Sequence, residues 1–201
     1  MFRLYRAEGV VVGAEQFDPV FYRADDALVG TIAETLSFRD TVHRLVAGVS
    51  EGLDVHDARI TERIATRFLE QAYGCLGENA VLLARLARRY QLGLVSNFYG
   101  NLGRVCDDVG IRALFSVVVD STSVGWRKPD PRIFEHALQA VGVGPGAATF
   151  VGDSPSRDMV GARDVGMAHI WLVGKGQEPR EPCCPGDRVV TTLAELGGLL
   201  L

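Results

Sequence analysis

The chain has 201 residues, a length that suits one domain, or one domain with a small insertion, and that suffices for a sizeable buried core. Hydrophobic residues make up 47% of the chain and charged residues 23%, close to average usage, so the composition indicates neither disorder nor a fibrous repeat. Against 25 aspartates and glutamates there are 21 lysines and arginines, giving a formal charge of -4, so no basic excess favours nucleic acid or an anionic membrane as a partner.

The first residues have the pattern of a helix and not of a targeting segment. Residues 1–6 are followed by Ala7 and Glu8, where a signal peptide would have its apolar core. No apolar run approaches the roughly 20 residues of a membrane span. The four histidines lack zinc-site spacing and the four cysteines form no CxxC pair; Cys183 and Cys184 are adjacent in a proline-flanked segment. We therefore expect a cytoplasmic protein with thiols rather than disulfides.

The first part of the chain is predicted to be helical. Apolar residues recur at helical spacing from about residue 17 to residue 73. Ser37 and Asp40 have the spacing of a capping box and predict that a helix begins there. Before this region, residues 4–9 and 14–17 have the pattern of a helix, a loop and a second helix. Together these patterns predict a compact helical segment.

The later part of the chain alternates short apolar runs with helical patterns. Asp130 and Pro131 give one helix an N-cap and a proline at its first position, and Gly142 is expected to end it. The other predicted elements are a helix over residues 78–90, strands over 92–95, 117–119, 149–151 and 169–173, a loop over 174–186, a strand over 188–190 and a last helix. This alternation predicts an α/β fold in which helices cover both faces of a parallel sheet.

Polar side chains follow three of the predicted strands, and doubly wound sheets bind their ligands at the carboxyl ends of strands. Ser96 closes the strand over residues 92–95, and with Asn97 it offers a hydroxyl and backbone N–H groups to an anion such as phosphate. Lys128 precedes Pro129 at a helix entrance and can supply a positive charge to a phosphoryl group. Taken singly, Ser96 and Asn97 are also typical of an ordinary turn, and Lys128 is also typical of a solvated surface lysine.

The third segment places two carboxylates, Asp153 and Asp158, just beyond the strand over residues 149–151. Proteins hold Mg²⁺ with one or two carboxylates together with waters and substrate phosphate oxygens, so this pair predicts a magnesium site. The structural alternative is a helix N-cap at Asp153 or Ser154, with Asp158 as an acidic residue of the first turn. Three such segments in this order favour the functional interpretation.

Residues 95–97, 128–131 and 151–158 together resemble the second, third and fourth motifs of the haloacid dehalogenase (HAD) superfamily, in its phosphatase-like members. The resemblance continues through residues 160–167 and covers about residues 78–172. It implies a HAD-like, Rossmann-like parallel sheet with helices on both faces over residues 77–201. It also implies a small helical cap over residues 1–76, which would exclude water and select the substrate.

The same resemblance implies roles for five residues. Ser96, Asn97 and Lys128 would bind the phosphoryl group, with Ser96 and Lys128 taking part in catalysis. Asp153 and Asp158 would anchor Mg²⁺. The partner would be a small phosphorylated molecule.

The first motif of the superfamily, a hydrophobic strand ending in Asp-x-Asp-x-Thr, has no counterpart in this sequence. Asp25 and Asp26 lie in an amphipathic helical pattern. A strand over residues 9–15 could be aligned with the motif, which would put Gly13 at the nucleophile position and Glu15 at the general acid position. The pattern of helix, loop and helix favours another interpretation, in which the nucleophile strand lies upstream of Met1.

The paired aspartates favour a phosphatase over a dehalogenase, because phosphoryl transfer uses a metal to offset negative charge and haloacid dehalogenation in this superfamily uses none. The resemblance therefore implies a Mg²⁺-dependent phosphatase that is inactive without its nucleophile. Two alternatives stay open: a noncatalytic HAD-fold protein that binds a phosphorylated ligand or a protein partner, and a dehalogenase-type hydrolase. The sequence assigns neither the substrate nor the oligomeric state.

Overall fold

The computed structural model describes residues 1–174 and 188–201. The predicted loop beyond Gly174, with Cys183 and Cys184, lies outside these residues. The chain divides into two compact units: unit 1 comprises Met1–Gly77 and Tyr99–Gly110, and unit 2 comprises Glu78–Phe98 and Ile111–Leu201. None of the helices in the described ranges is long and apolar enough to cross a membrane.

Unit 1 is helical. It contains α1 (Phe2–Ala7), α2 (Ala14–Leu28), α3 (Phe38–Gly52), the part of α4 (Ala58–Ala87) up to Gly77, and α5 (Leu102–Asp108). Residues 9–13 connect α1 to α2, and Gly13 is the N-cap of α2, with Glu15 in its first turn. The alignment that made residues 9–15 a strand is therefore wrong, because residues 9–13 form no strand and Ala14 and Glu15 already belong to α2.

In unit 1, local sequence patterns predicted where a helix begins better than they predicted how long it is. Ser37 caps α3 as predicted: its Oγ accepts a hydrogen bond from the N–H of Asp40 at 3.0 Å and donates to Oδ2 of Asp40 at 2.6 Å. The predicted helix over residues 78–90 is instead the end of α4, which runs without a break from Ala58. Helix formation is cooperative, so a long helix tolerates Gly74 and Gly77 at a cost of about 1 kcal/mol each.

Tyr5 anchors α1 to α3 within unit 1. The residue is fully buried, and its hydroxyl donates to the carbonyl oxygen of Val46 at 2.9 Å and lies 3.0 Å from Oγ of Ser50. Thr61 of α4 donates to the same Ser50 oxygen at 3.1 Å. Burial raises the pKa of Tyr5 to about 12. The hydroxyl therefore keeps its proton, and with it the bond to α3, even at pH 10, where an ordinary tyrosine is half ionised.

The described strands of unit 2 are all in parallel pairs. β1 (Gly93–Ser96) pairs with β2 (Val117–Asp120), while β3 (Thr149–Gly152), β4 (Ala168–Leu172) and β5 (Arg188–Val190) form a second sheet in that order. Parallel pairing confirms the predicted α/β fold. The sequence predicts a single sheet, however, and the described strands form two.

Helices cover both faces of the strands. The helices of unit 2 are the end of α4, then α6 (Ser121–Val124), α7 (Pro131–Val141), α8 (Val160–Asp164) and α9 (Leu196–Leu200). Phe150 of β3 packs against the cluster that contains Ile133 of α7. The next residue, Val151, packs against the cluster of Leu82 in α4 and Leu196 in α9. Successive residues of a strand point to opposite faces, so the two clusters lie on the two sides of β3.

The start and end of α7 confirm the prediction from the sequence. Oδ1 of Asp130 accepts the N–H of Arg132 at 3.0 Å, Pro131 is the first helical residue, and Gly142 ends the helix in the left-handed conformation with φ 78°. The guanidinium of Arg132 also binds the Asp130 carboxylate, with Nε 3.0 Å from Oδ1. Its hydrogen bonds lower the pKa of Asp130 from 3.8 to about 2.

This pKa shift predicts a pH dependence of stability. Because the pKa of Asp130 is depressed in the folded chain, its ionised form contributes stability above pH 3.8 that is lost as the pH falls towards about 2. We expect Asp130→Asn to be less stable than the parent at neutral pH and the difference to shrink across this window, in denaturant titrations. Asp164→Asn, at an exposed position of α8, is the control. An unchanged difference at about pH 2.5 would mean that Asp130 acts as an N-cap alone.

Candidate functional site

The three polar segments predicted from the sequence meet in unit 2 at one lysine. Nζ of Lys128 lies 2.6 Å from Oδ1 of Asp158, in the segment after β3. The backbone of Lys128 is hydrogen-bonded to the side chain of Asn97, which follows β1. The side chains of Lys128 and Asp158 are only 13% and 4% exposed. The segments that follow β1 and β3 are thus both joined to Lys128, the first by hydrogen bonds from Asn97 and the second by a largely buried ion pair with Asp158.

Asp158 is held by its own loop as well as by Lys128. Its Oδ2 accepts the N–H groups of Asp153 at 3.1 Å and Ser154 at 3.0 Å. Its buried Oδ1 accepts no further hydrogen bond from the described residues beyond the Lys128 contact. Gly152 makes this arrangement possible, because a Cβ at that position would lie 2.5 Å from Oδ2 of Asp158. Both oxygens of Asp158 are therefore already in use.

Asn97 fixes the loop that carries Lys128. Its Nδ2 donates to the carbonyl oxygen of Lys128 at 3.1 Å, and its Oδ1 accepts the N–H of Lys128 at 2.7 Å. Both polar ends of the amide are engaged with the backbone of one residue. The structure gives Asn97 a positioning role, and its predicted contact with phosphate stays a prediction.

Asp153 and Ser96 are held less tightly than their neighbours. Asp153 is exposed, and its backbone carbonyl accepts the indole N–H of Trp171 in β4 at 3.2 Å, which fixes the loop and leaves the carboxylate at the surface. Ser96 is half-buried, and its hydroxyl is 3.5 Å from the carbonyl oxygen of Asn97, at the limit of a hydrogen bond. Both side chains can therefore turn to a ligand at little cost.

Sequence patterns missed the residues that anchor the turn after β1. Ser121 Oγ accepts the N–H of Phe98 at 3.1 Å, and Thr122 Oγ1 donates to the Phe98 carbonyl oxygen at 2.6 Å. Asp120 is 5% exposed, lies opposite Ser96 in the strand register and accepts the N–H of Thr122 at 2.9 Å. The signal was present, since Asp120 follows a buried strand directly and has the residue type of an N-cap.

The carboxylate of Asp153 fits a Mg²⁺ site in which the phosphate oxygens of a substrate would supply further ligands. No group of three or more His, Cys, Asp or Glu side chains in residues 1–174 and 188–201 is arranged to hold a metal. Mg²⁺ needs only one or two protein carboxylates when phosphate oxygens and waters supply the rest. Asp153 has an exposed carboxylate for this purpose. Asp158 holds the N–H of Asp153 and so positions it, while its own predicted contact with Mg²⁺ stays a prediction.

Lys128 gives the site a positive charge in a partly desolvated place. Its ammonium lies 5.5 Å from the centre of the Phe150 ring, within the range of a cation–π contact. Attraction between charges is stronger where water is excluded, so the lysine can stabilise an oxyanion there more than a surface lysine could. The arrangement combines a fixed ammonium, an adjustable hydroxyl and one exposed carboxylate.

The sequence matches the haloacid dehalogenase-like hydrolase family over residues 30–166, more than half of the chain. The chain belongs to this family. The match includes the positions of Ser96, Lys128, Asp153 and Asp158, and begins within unit 1. The resemblance drawn from three motifs is therefore confirmed at the level of the family.

Curated relatives carry phosphatase and family names. This HAD-like hydrolase is 44% identical over 124 residues to haloacid dehalogenase-like hydrolase domain-containing protein 3 of Bos taurus, covering 60% of the chain and 49% of the relative. It is 34% identical over 161 residues to the phosphoserine phosphatase of Thermus thermophilus, covering 79% and 61%. The chain thus spans about half to three fifths of the length of these relatives.

Solved structures show the same fold. A HAD phosphatase from Thermococcus onnurineus aligns with 99% of this chain and 85% of its own, with a TM-score of 0.57 and 23% sequence identity. At that identity the likeness supports the fold alone. It agrees with the parallel strands and flanking helices described above.

Proposed function

We propose that this HAD-like hydrolase carries the phosphate- and Mg²⁺-binding part of a phosphomonoesterase that acts on a small phosphorylated metabolite. The observation that carries the proposal is the linkage of Asn97, Lys128 and Asp158, which holds a buried ammonium at the carboxyl ends of β1 and β3. The relative from Thermus thermophilus, named as a phosphoserine phosphatase, supports this reaction class. The particular metabolite stays unassigned.

Each residue has a task in this proposal. Lys128 attracts the phosphoryl oxygens, and the hydroxyl of Ser96 donates to one of them. Asp153 holds Mg²⁺, which when bound offsets negative charge on the phosphoryl group. Asp158 positions both Lys128 and the backbone of Asp153.

Hydrolysis by the superfamily route also needs a carboxylate nucleophile, which forms an aspartyl-phosphate and is then released by water. The described carboxylates near the site have other tasks: Asp158 is fully engaged, Asp120 caps α6, and Asp153 is assigned to the metal. We therefore propose that this chain by itself binds the phosphoryl group without turning it over.

The same observation supports a second candidate, a noncatalytic HAD-fold protein that binds a phosphorylated ligand, because it needs the same lysine and no nucleophile. Nothing in the described site favours the dehalogenase alternative, since the exposed carboxylate of Asp153 provides for a metal that such a reaction does not need. A cytoplasmic location and the absence of nucleic-acid or membrane partners stay predictions from the sequence.

The metal assignment is tested by titrating Mg²⁺ calorimetrically into the chain in the presence of inorganic phosphate. We expect Asp153→Asn to weaken Mg²⁺ binding about tenfold or more, because it removes the one exposed carboxylate of the site. Asp164→Asn, which changes an exposed aspartate of α8 paired with Arg163, should leave the affinity unchanged. Equal affinities for Asp153→Asn and the parent would show that the metal site lies elsewhere.

A further inference from the structure

Arg157, in the loop after β3, carries a positive charge to which the proposed function gives no role. It lies in the helical turn Pro155–Met159, directly before Asp158. Its backbone N–H and its Nε each donate to Oγ of Ser154 at 3.3 Å, so the side chain folds back towards the start of the turn and the carboxyl end of β3. The guanidinium is thereby held on the same loop as the exposed carboxylate of Asp153.

The guanidinium of Arg157 has donors that the loop does not use. Within residues 1–174 and 188–201, Nε makes the only hydrogen bond of this side chain, and no carboxylate forms an ion pair with it. The residue is exposed, so its two Nη groups are accessible to a ligand. By contrast, the ammonium of Lys128 is paired with Asp158 at 2.6 Å in a largely buried place.

The position of Arg157 suits the part of a substrate that lies outside the phosphoryl group. In the proposed site the phosphoryl oxygens are bound by Ser96, by Lys128 and by Mg²⁺ on Asp153. Lys128 contacts Asp158 on the buried side of the loop, whereas Arg157 lies on its exposed side. A ligand enters from solvent, so the rest of a small phosphate ester extends from the buried lysine towards the exposed side, where the guanidinium is held.

The shape of the guanidinium defines the group that it binds. Two Nη groups side by side match the two oxygens of a carboxylate, and such a bidentate pair is stronger and more directional than a contact with one ammonium. We propose that Arg157 is a specificity-determining residue, which selects small phosphate esters that also carry a carboxylate. This inference rests on the proposed function and adds the chemical class of the substrate, a phosphorylated carboxylic acid.

The probes are 2-phosphoglycolate and ethyl phosphate. Both are phosphate esters with two carbon atoms, and the first has a carboxylate where the second has a methyl group. Inorganic phosphate is the third ligand, and it reports on the phosphoryl site alone. Each is titrated calorimetrically into the 201-residue chain in the presence of Mg²⁺.

Two variants of Arg157 separate its charge from its shape. Arg157→Gln removes the charge, and Arg157→Lys keeps the charge but loses the fork. The backbone N–H of residue 157 can still bind Ser154 in both variants. Arg163→Gln is the matched control, because it changes an exposed arginine of α8 that is paired with Asp164.

We expect the parent chain to bind 2-phosphoglycolate about tenfold more tightly than ethyl phosphate, because charged bidentate hydrogen bonds are the strong ones. Arg157→Gln should abolish this preference while changing the affinity for inorganic phosphate and ethyl phosphate by less than about threefold. Arg157→Lys should retain part of the preference, and Arg163→Gln all of it. The unfolding temperature of Arg157→Gln should equal that of the parent, which a merely structural role would not give.

Three outcomes would overturn the proposal. Equal affinities of the parent for the two esters would show that the site does not recognise a carboxylate. A preference that persists in Arg157→Gln would assign the carboxylate to Mg²⁺ or to another side chain. An equal loss for all three ligands in Arg157→Gln would place Arg157 at the phosphoryl group. If the parent fails to bind inorganic phosphate, the proposed function itself is wrong, and this inference with it.

Discussion

The 201-residue chain is expected to leave p-nitrophenyl phosphate unhydrolysed in the presence of Mg²⁺, at a rate no higher than that of a blank with metal and buffer. Ser96, Lys128 and a bound metal can stabilise charge on the transferring group, but the covalent route needs a nucleophile. Both oxygens of the Asp158 carboxylate are engaged, by Lys128 and by two backbone N–H groups. A spectrophotometric assay at millimolar substrate measures this directly.

Activity above the blank would contradict this expectation only if it belonged to the site. The variants Lys128→Ala and Asp153→Asn show whether the activity belongs to the site. The activity of a contaminating phosphatase would be the same in both variants as in the parent. If both abolished the activity, another carboxylate would have to act as nucleophile. Asp120 would then be the first to replace, because it is buried at the end of β2, opposite Ser96 in the register.

Asp158→Ala is expected to lower the free energy of unfolding by about 3–5 kcal/mol, the usual cost of leaving one member of a buried ion pair alone. The change leaves the ammonium of Lys128 buried without its partner and removes the acceptor for the N–H groups of Asp153 and Ser154. Denaturant titration with a probe in unit 2, such as the fluorescence of Trp171, measures the loss.

Asp153→Ala is the matched control, since it removes the same side chain five positions earlier. Its carboxylate is exposed, so the expected change is within about 0.5 kcal/mol. Adding Lys128→Met to Asp158→Ala should recover part of the lost stability, because the uncompensated charge is then gone. Similar small losses for Asp153→Ala and Asp158→Ala would show that the ion pair does not organise the loop.

Local rules predicted those parts of the fold that depend on neighbouring residues. Asp130, Pro131 and Gly142 fix the ends of α7 through contacts within the helix and its caps. The continuity of α4 could not be predicted in the same way, because Gly74 and Gly77 weaken the local signal for a helix that extends well beyond them on both sides. Strand pairing joins residues far apart in sequence, so the split into two sheets leaves no local pattern either.

The candidate site shows the same limit. The rule that ligands bind at the carboxyl ends of parallel strands made Ser96, Lys128, Asp153 and Asp158 candidates, and the resemblance to the HAD superfamily implied their roles. It could not divide tasks between the two aspartates, because their difference arises from the position of the Lys128 ammonium in space. The engagement of Asn97 with the Lys128 backbone likewise depends on a contact across 31 positions of the chain.

The most direct test of a phosphate site at the ends of β1 and β3 is a titration of the full chain with inorganic phosphate, with and without Mg²⁺, followed by backbone amide NMR shifts. Saturable shifts are predicted at Ser96, Lys128 and Asp153, with a larger affinity when Mg²⁺ is present, because metal and anion are bound side by side. Absence of saturable shifts at these residues, or shifts confined to unit 1, would contradict a phosphate site at the ends of β1 and β3.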